Sequence, residues 1–148
     1  MSLPFHLLFE KVRTIYAKDV HPWQDMGLSP GQPKILYYLE EEKGCIQRDL
    51  ADWCAIEPAT VSKLLDNMES KGLILRKSQL GDKRSLYVYL TPKGKEAQSQ
   101  IGKRFAEIEA QALTGFSEEE QKAFRSFLKR MAYNLDPEMI QSPVRDQD

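Results

Sequence analysis

Residues 57–72, EPATVSKLLDNMESKG, run directly into residues 73–95, LILRKSQLGDKRSLYVYLTPKGK, and the fold turns on how these two pieces pair. In the first piece Val61, Leu64, Leu65 and Met68 fall at i, i+3, i+4 and i+7, which predicts one apolar stripe on a helix. Pro58 suits its first turn, Gly72 its end, and Lys71 the negative end of the helix dipole. With the stripe buried, Ala59, Thr60, Ser62, Lys63 and Asn67 must face outward. Short or hydrogen-bonding side chains let a helix lie close to base edges, although they equally suit an ordinary solvated face.

The second piece favours the first of these alternatives. Leu86, Val88 and Leu90 alternate with Tyr87 and Tyr89, the period of a half-buried strand. Leu73 to Lys77 is the expected partner strand, and Gly81-Asp82 supplies turn chemistry between them. Arg76, Lys77, Lys83 and Arg84 crowd the strand end and the tip. Residues 71–95 hold seven Lys/Arg and a single acid, Asp82, in a chain with 21 Lys/Arg and 22 Asp/Glu. A near-neutral protein has gathered positive charge in one short stretch, as a polyanion-binding surface requires. Lysines that blunt a hairpin against edge pairing would leave a similar mark.

Upstream, residues 47–54 (QRDLADWC) predict a short helix around Leu50 and Ala51, joined by the tight turn AIEP to the helix above. Two short helices so joined make a helix-turn-helix, and Gln47 or Arg48 on the first can touch phosphates. A helix over roughly 30–42 precedes it, with Ile35, Leu36 and Leu39 buried and Lys43-Gly44 closing it. Ser29 with Gln32 makes a capping box, but a start nearer Gly31 or Gln32 keeps Pro33 in the first turn. His21-Pro22 ends a first helix over 5–19, and HPWQDMG reads as a loop.

Two further helices are expected after the hairpin. Thr91-Pro92 starts one over 91–113, along which Ala97, Ile101, Phe105, Ile108 and Ala112 recur as a seam. A Ser117/Glu120 capping box starts the other, which carries Phe124, Phe127, Leu128, Met131 and Leu135 to Asp136-Pro137. The first helix shows Phe5, Leu8, Phe9, Val12, Ile15 and Tyr16 on one side. Apolar stripes at both ends of one thin domain argue for a homodimer.

The whole chain therefore reads as one domain, 1–148. It is mainly α with a small β-hairpin wing (α+β), a winged helix-turn-helix at 30–90 between dimerisation helices at 5–20 and 91–135. No apolar run approaches the roughly 20 residues that span a bilayer, and the N-terminus reads as a helix and not a signal peptide. Cys45 and Cys54 give no disulfide framework, which fits a reducing cytoplasm. Cys54 reads as a core residue, and Cys45 as a loop position whose exposure and redox activity the sequence leaves open. His6 and His21 have no partnered nucleophile, no phosphate-binding glycine loop is present, and no ligand spacing points to a metal, so neither catalysis nor a cofactor is expected. The polar tail QSPVRDQD reads as frayed.

From Ile46 onward the pattern I-x3-LA-x4-I-x3-TVSKLLDNMESKGLILR, followed by GDKRSLYVYLTPKG, resembles the MarR family of winged helix-turn-helix regulators. The resemblance implies a dimer held by the first and last two helices, double-stranded DNA as partner, and the 58–70 helix in the major groove. It implies that Thr60, Ser62 and Lys63 contact bases and phosphates. It also implies that Asp82 steadies Arg84 as the latter enters the minor groove. A narrow, negative groove attracts a guanidinium, which agrees. Asn67 stands where a basic residue is common, and Ala55 in a turn that often carries Gly or a polar residue. By the same resemblance a small aromatic or anionic effector can fill a cleft between the lobes, with Tyr16, Trp23, Tyr37, Tyr38 and Trp53 as candidate lining. These aromatics equally suit a core. The alternative function is a winged-helix protein-interaction module without DNA binding.

Overall fold

The helix over 58–70 forms because its apolar stripe has a core to meet: Val61, Leu65 and Met68 are wholly buried. The computed structural model describes residues 2–19, 23–39, 43–78 and 86–138. Its elements in chain order are α1 (Phe5–Asp19), a 3-10 turn (Trp23–Met26), α2 (Gln32–Tyr38), β1 (Cys45–Ile46), α3 (Gln47–Cys54), α4 (Pro58–Ser70), β2 (Ile74–Ser78), β3 (Leu86–Leu90), α5 (Pro92–Ala112) and α6 (Glu118–Leu135). The fold is mainly helical with a small antiparallel sheet in the order β1-β3-β2.

The expected hairpin pairs Ile74 with Leu90 and Ser78 with Leu86, and Ile74 and Val88 point into the core. Alternation puts Leu75, Lys77 and Tyr87 on the wetter side. A third strand was not foreseen. Cys45 and Ile46 pair with Val88 and Tyr87, so Cys45 is not an exposed loop residue but is buried in β1. Its burial removes the access that a redox role requires. Cys54 is buried as expected, and desolvation pushes its thiol up to about 11, which keeps it protonated and inert at neutral pH.

The earlier region departs in detail. α2 starts at Gln32 with Pro33 in its first turn, the later of the two starts considered. It ends at Tyr38, where Leu39 turns extended, and not at Lys43-Gly44. The reason lies in α5: the buried Gln98 donates through Nε2 to the Leu36 carbonyl at 2.6 Å and to that of Leu39, satisfying the end of α2 from outside. Lys34 does the same for α3, its Nζ donating to the Cys54 carbonyl at 2.6 Å. HPWQDMG includes a 3-10 turn instead of being wholly loop, and its Trp23 is in the core.

α5 begins where expected, with Thr91 Oγ1 accepting from the Gly94 N–H at 3.0 Å. The same hydroxyl donates to the Gly72 carbonyl at 2.5 Å, and the Thr91 N–H donates to the Leu73 carbonyl. A Cβ on Gly94 would lie 2.0 Å from the Leu73 carbonyl oxygen, so only glycine lets α5 sit this close to the start of β2. Ser117 and Glu120 form the expected capping box on α6. Two helices stay uncovered. No residue of α6 is buried, with Phe127 59% and Leu135 80% exposed, and Phe5 of α1 is 71% exposed.

Ala55, at the C-terminal end of α3, holds φ 52 and ψ 45, a left-handed conformation that a Cβ disfavours. Ala55→Gly is expected to stabilise the fold by roughly 0.5–1 kcal/mol, the strain relieved less the added chain entropy. Gly94→Ala is expected to destabilise it by about 1–3 kcal/mol or more. Thermal unfolding of both variants against wild type checks these opposite signs.

Candidate nucleic-acid interface

Burial of Val61, Leu65 and Met68 fixes the rotation of α4 and so decides what it shows. Ala59, Thr60, Lys63 and Asn67 are exposed, and Ser62 is half-buried at the flank. Thr60, Lys63 and Asn67 fall at i, i+3 and i+7 and form one outward line. Arg48 on α3 is exposed, and no described residue pairs with Lys63 or Arg48. Gln47 is different: it is half-buried and its Oε1 is enclosed without a partner, so its oxygen turns inward.

The basic stretch is spent unevenly. Lys71 Nζ donates to the Gly27 carbonyl at 2.6 Å and Lys93 Nζ to the Lys71 carbonyl at 2.8 Å, both holding the end of α4. Arg76 departs furthest from an outward tip cation. Its guanidinium turns back onto α4, meeting Asp66 at 2.5 Å and Glu69 at 3.3 Å, and its side chain is only 16% exposed. The Arg76 N–H also donates to Glu69 at 3.1 Å. The side-chain hydrogen bond to Glu69 leads in raising the pKa of this guanidinium, with Asp66 adding to it. Lys77 remains outward, its ammonium 5.8 Å from the Tyr89 ring centroid. Asp82, Lys83 and Arg84, with the Gly81-Asp82 turn, lie outside the described residues, as do His21-Pro22 and the tail.

The inward Arg76 answers a difficulty within α4 itself. Asp66 and Glu69 put two carboxylates on the helix that also carries Lys63. Left bare, they would repel a polyanion. Arg76 neutralises them and ties the wing to the helix with charge-assisted bonds. The signal was in the sequence, as acids at 66 and 69 facing a strand arginine, but only the register of β2 shows that they meet.

The candidate aromatic residues do not form one cleft lining. Trp23 is 3% exposed and packs between Phe105, at 5.7 Å, and the Arg104 guanidinium, at 5.2 Å. It is a core residue and not an open wall, because Arg104 in turn is held by Asp25 at 2.8 Å. Tyr37 meets Phe105 at 5.0 Å and Tyr38 at 6.0 Å, and stays exposed. Burial, then the nearby Glu109 and Tyr37, raises the pKa of Tyr16, so it stands beside Tyr37 with its proton held. Trp53 is half-buried against the main core. Among the described residues no group of three His, Cys, Asp or Glu could hold a metal, and no helix is long and apolar enough to cross a membrane.

Comparison with known proteins gives this geometry a context. The family model described as MarR family matches residues 28–86. Transcriptional regulator HosA from Escherichia coli is 25% identical over 125 residues, covering 83% of this chain and 93% of its own. The structure of a MepR–DNA complex from S. aureus superposes with TM-score 0.80 at 26% identity, over 90% of this chain and 99% of that one. A MarR-family regulator from Listeria monocytogenes complexed with a 26mer DNA superposes with TM-score 0.79 at 25% identity, over 95% and 93%.

Arg76→Ala is expected to cost about 1 kcal/mol of stability, since the ion pairs touch solvent. It is also expected to weaken binding to any duplex alike. Adding Asp66→Asn and Glu69→Gln should then recover most of that affinity. Failure of the triple variant to recover would mean that Arg76 itself contacts phosphate. Fluorescence anisotropy with one labelled duplex separates these results.

Proposed function

We propose that the chain is a MarR-family transcriptional regulator and acts as a homodimeric, sequence-specific repressor on an inverted-repeat operator. The observation that carries this is the exposed line Thr60, Lys63 and Asn67 on a helix whose rotation is locked by its buried stripe. Two structural relatives carrying the same fold are complexed with DNA. On this proposal α4 enters the major groove, with Ala59, Thr60, Ser62 and Lys63 at base edges and phosphates. Arg48 and Lys77 contact the phosphate backbone, and Gln47, whose Oε1 is turned inward, contacts it through a donor N–H. Lys83 and Arg84 supply the outermost cations, and Asp82 orients Arg84 for the minor groove.

The dimer is proposed from the apolar surface left on α1 and α6. Phe5, Leu8, Val12 and Ile15 on one, and Phe124, Phe127, Leu128 and Leu135 on the other, are large and exposed. Side chains of this size seek cover, and a two-fold partner both covers them and sets two α4 helices about one helical turn of DNA apart. On the same proposal a small effector lodges near Tyr16, Tyr37, Tyr38 and Trp53. The exposed rings of Tyr16 and Tyr37 beside the half-buried Tyr38 and Trp53 favour an aromatic compound, and it must bind the DNA-competent and DNA-free forms unequally to act.

Binding measured across a salt series is expected to fall with a log–log slope of about −0.9 for each phosphate neutralised. Arg84→Ala should weaken binding by roughly 1–3 kcal/mol. A flat salt series would remove the DNA-binding proposal. Wild type should sediment at twice the chain mass, and Phe127→Glu should shift it to the monomer with loss of duplex affinity. A wild-type monomer would remove the dimer.

A further inference from the structure

Along the outward line Thr60, Lys63 and Asn67 of α4, Asn67 has its side chain tied from within the protein. Gln32, in the first turn of α2, is wholly buried. Its Oε1 accepts from the Ser29 backbone N–H at 3.1 Å, and its Nε2 donates to Asn67 Oδ1 at 2.8 Å. Asn67 itself is exposed.

The two ends of an amide side chain differ little in shape, so partners decide which end faces which way. Here the chain of partners has a fixed sense. A backbone N–H can only donate, so the atom of Gln32 that meets Ser29 must be its oxygen. The other end of Gln32 is then the NH2 group, which, being buried, needs an acceptor. The atom of Asn67 that meets it must therefore be oxygen. The Asn67 NH2 group is left on the outward side, and no described residue accepts from it.

We infer that Gln32 is a positioning residue that makes Asn67 a donor-only reader, and that this sets base choice at one position of each half-site. The inference rests on the DNA-binding function proposed above. An unconstrained asparagine pairs with adenine, accepting from N6 and donating to N7. Asn67 has its oxygen engaged, so it offers two N–H groups and little acceptor capacity. Guanine presents two acceptors, O6 and N7, along the same edge, whereas adenine sets its N6 donor against the second N–H. The arrangement selects guanine over adenine.

The test is selection of duplexes from a random pool by the full chain, comparing wild type with Asn67→Ala, Asn67→Asp and Gln32→Met. Wild type should show guanine at one position in each half-site. Asn67→Ala should erase that preference and leave the other positions unchanged. Asn67→Asp keeps an acceptor toward Gln32 and turns a second oxygen outward, so it should move the preference to cytosine, whose N4 donates. Gln32→Met frees the amide, and the ratio of guanine to adenine should fall about ten-fold. Asn67→Asp leaves the core untouched and carries the test alone if Gln32→Met does not fold. Adenine selected by wild type, an unchanged guanine preference in Gln32→Met, or a uniform loss of affinity in Asn67→Ala would overturn the inference while leaving DNA binding standing. If wild type selects no duplex, the DNA-binding proposal fails first and the inference with it.

Discussion

Complete burial of three side chains, Val61, Leu65 and Met68, is the constraint on which the rest of this structure hangs. A helix has one free rotation about its axis. Once this stripe meets the core, Thr60, Lys63 and Asn67 have nowhere to go but outward. The neighbouring elements then serve that orientation. α2 and α3 complete the core beneath α4, and Lys34 and Gln98 satisfy their ends from a distance. Gln32, bonded to Asn67, anchors α4 to the first turn of α2, and Lys71, bonded to the Gly27 carbonyl, anchors it to the segment that leads into α2. That segment is fastened to α5 through Asp25–Arg104 and Trp23–Phe105. A continuous run of contacts therefore joins α5 to the outward face of α4.

Charge is used with similar economy. Of the seven basic residues between 71 and 95, Lys71 and Lys93 hold backbone carbonyls and Arg76 neutralises Asp66 and Glu69. The surface that a polyanion would meet is thus shaped less by the total of positive charge than by which cations are left outward. It depends as much on hiding two carboxylates as on showing lysines.

Much of this was legible beforehand, for a physical reason. Period alone located α4 and β3, and cap chemistry at Thr91 and Ser117 located the starts of α5 and α6, because these signals are local. What escaped was long-range. β1 is two residues long and exists only because Val88 and Tyr87 offer it a free edge. The early end of α2 depends on Gln98, some sixty residues away, and the burial of Trp23 on Arg104 and Phe105. Arg76 looked like a tip cation because nothing nearby in sequence shows that β2 lays it across Asp66 and Glu69. Asn67 looked like a missing base, when its oxygen is in fact committed to Gln32.

Amide hydrogen exchange with and without a selected duplex tests the central claim, that α4 and the wing together form the surface that meets DNA, most directly. Protection is predicted over residues 58–70 and along the two hairpin strands, with little change in α6. Protection confined to α1 and α6, or none over α4 despite saturation with duplex, would contradict it.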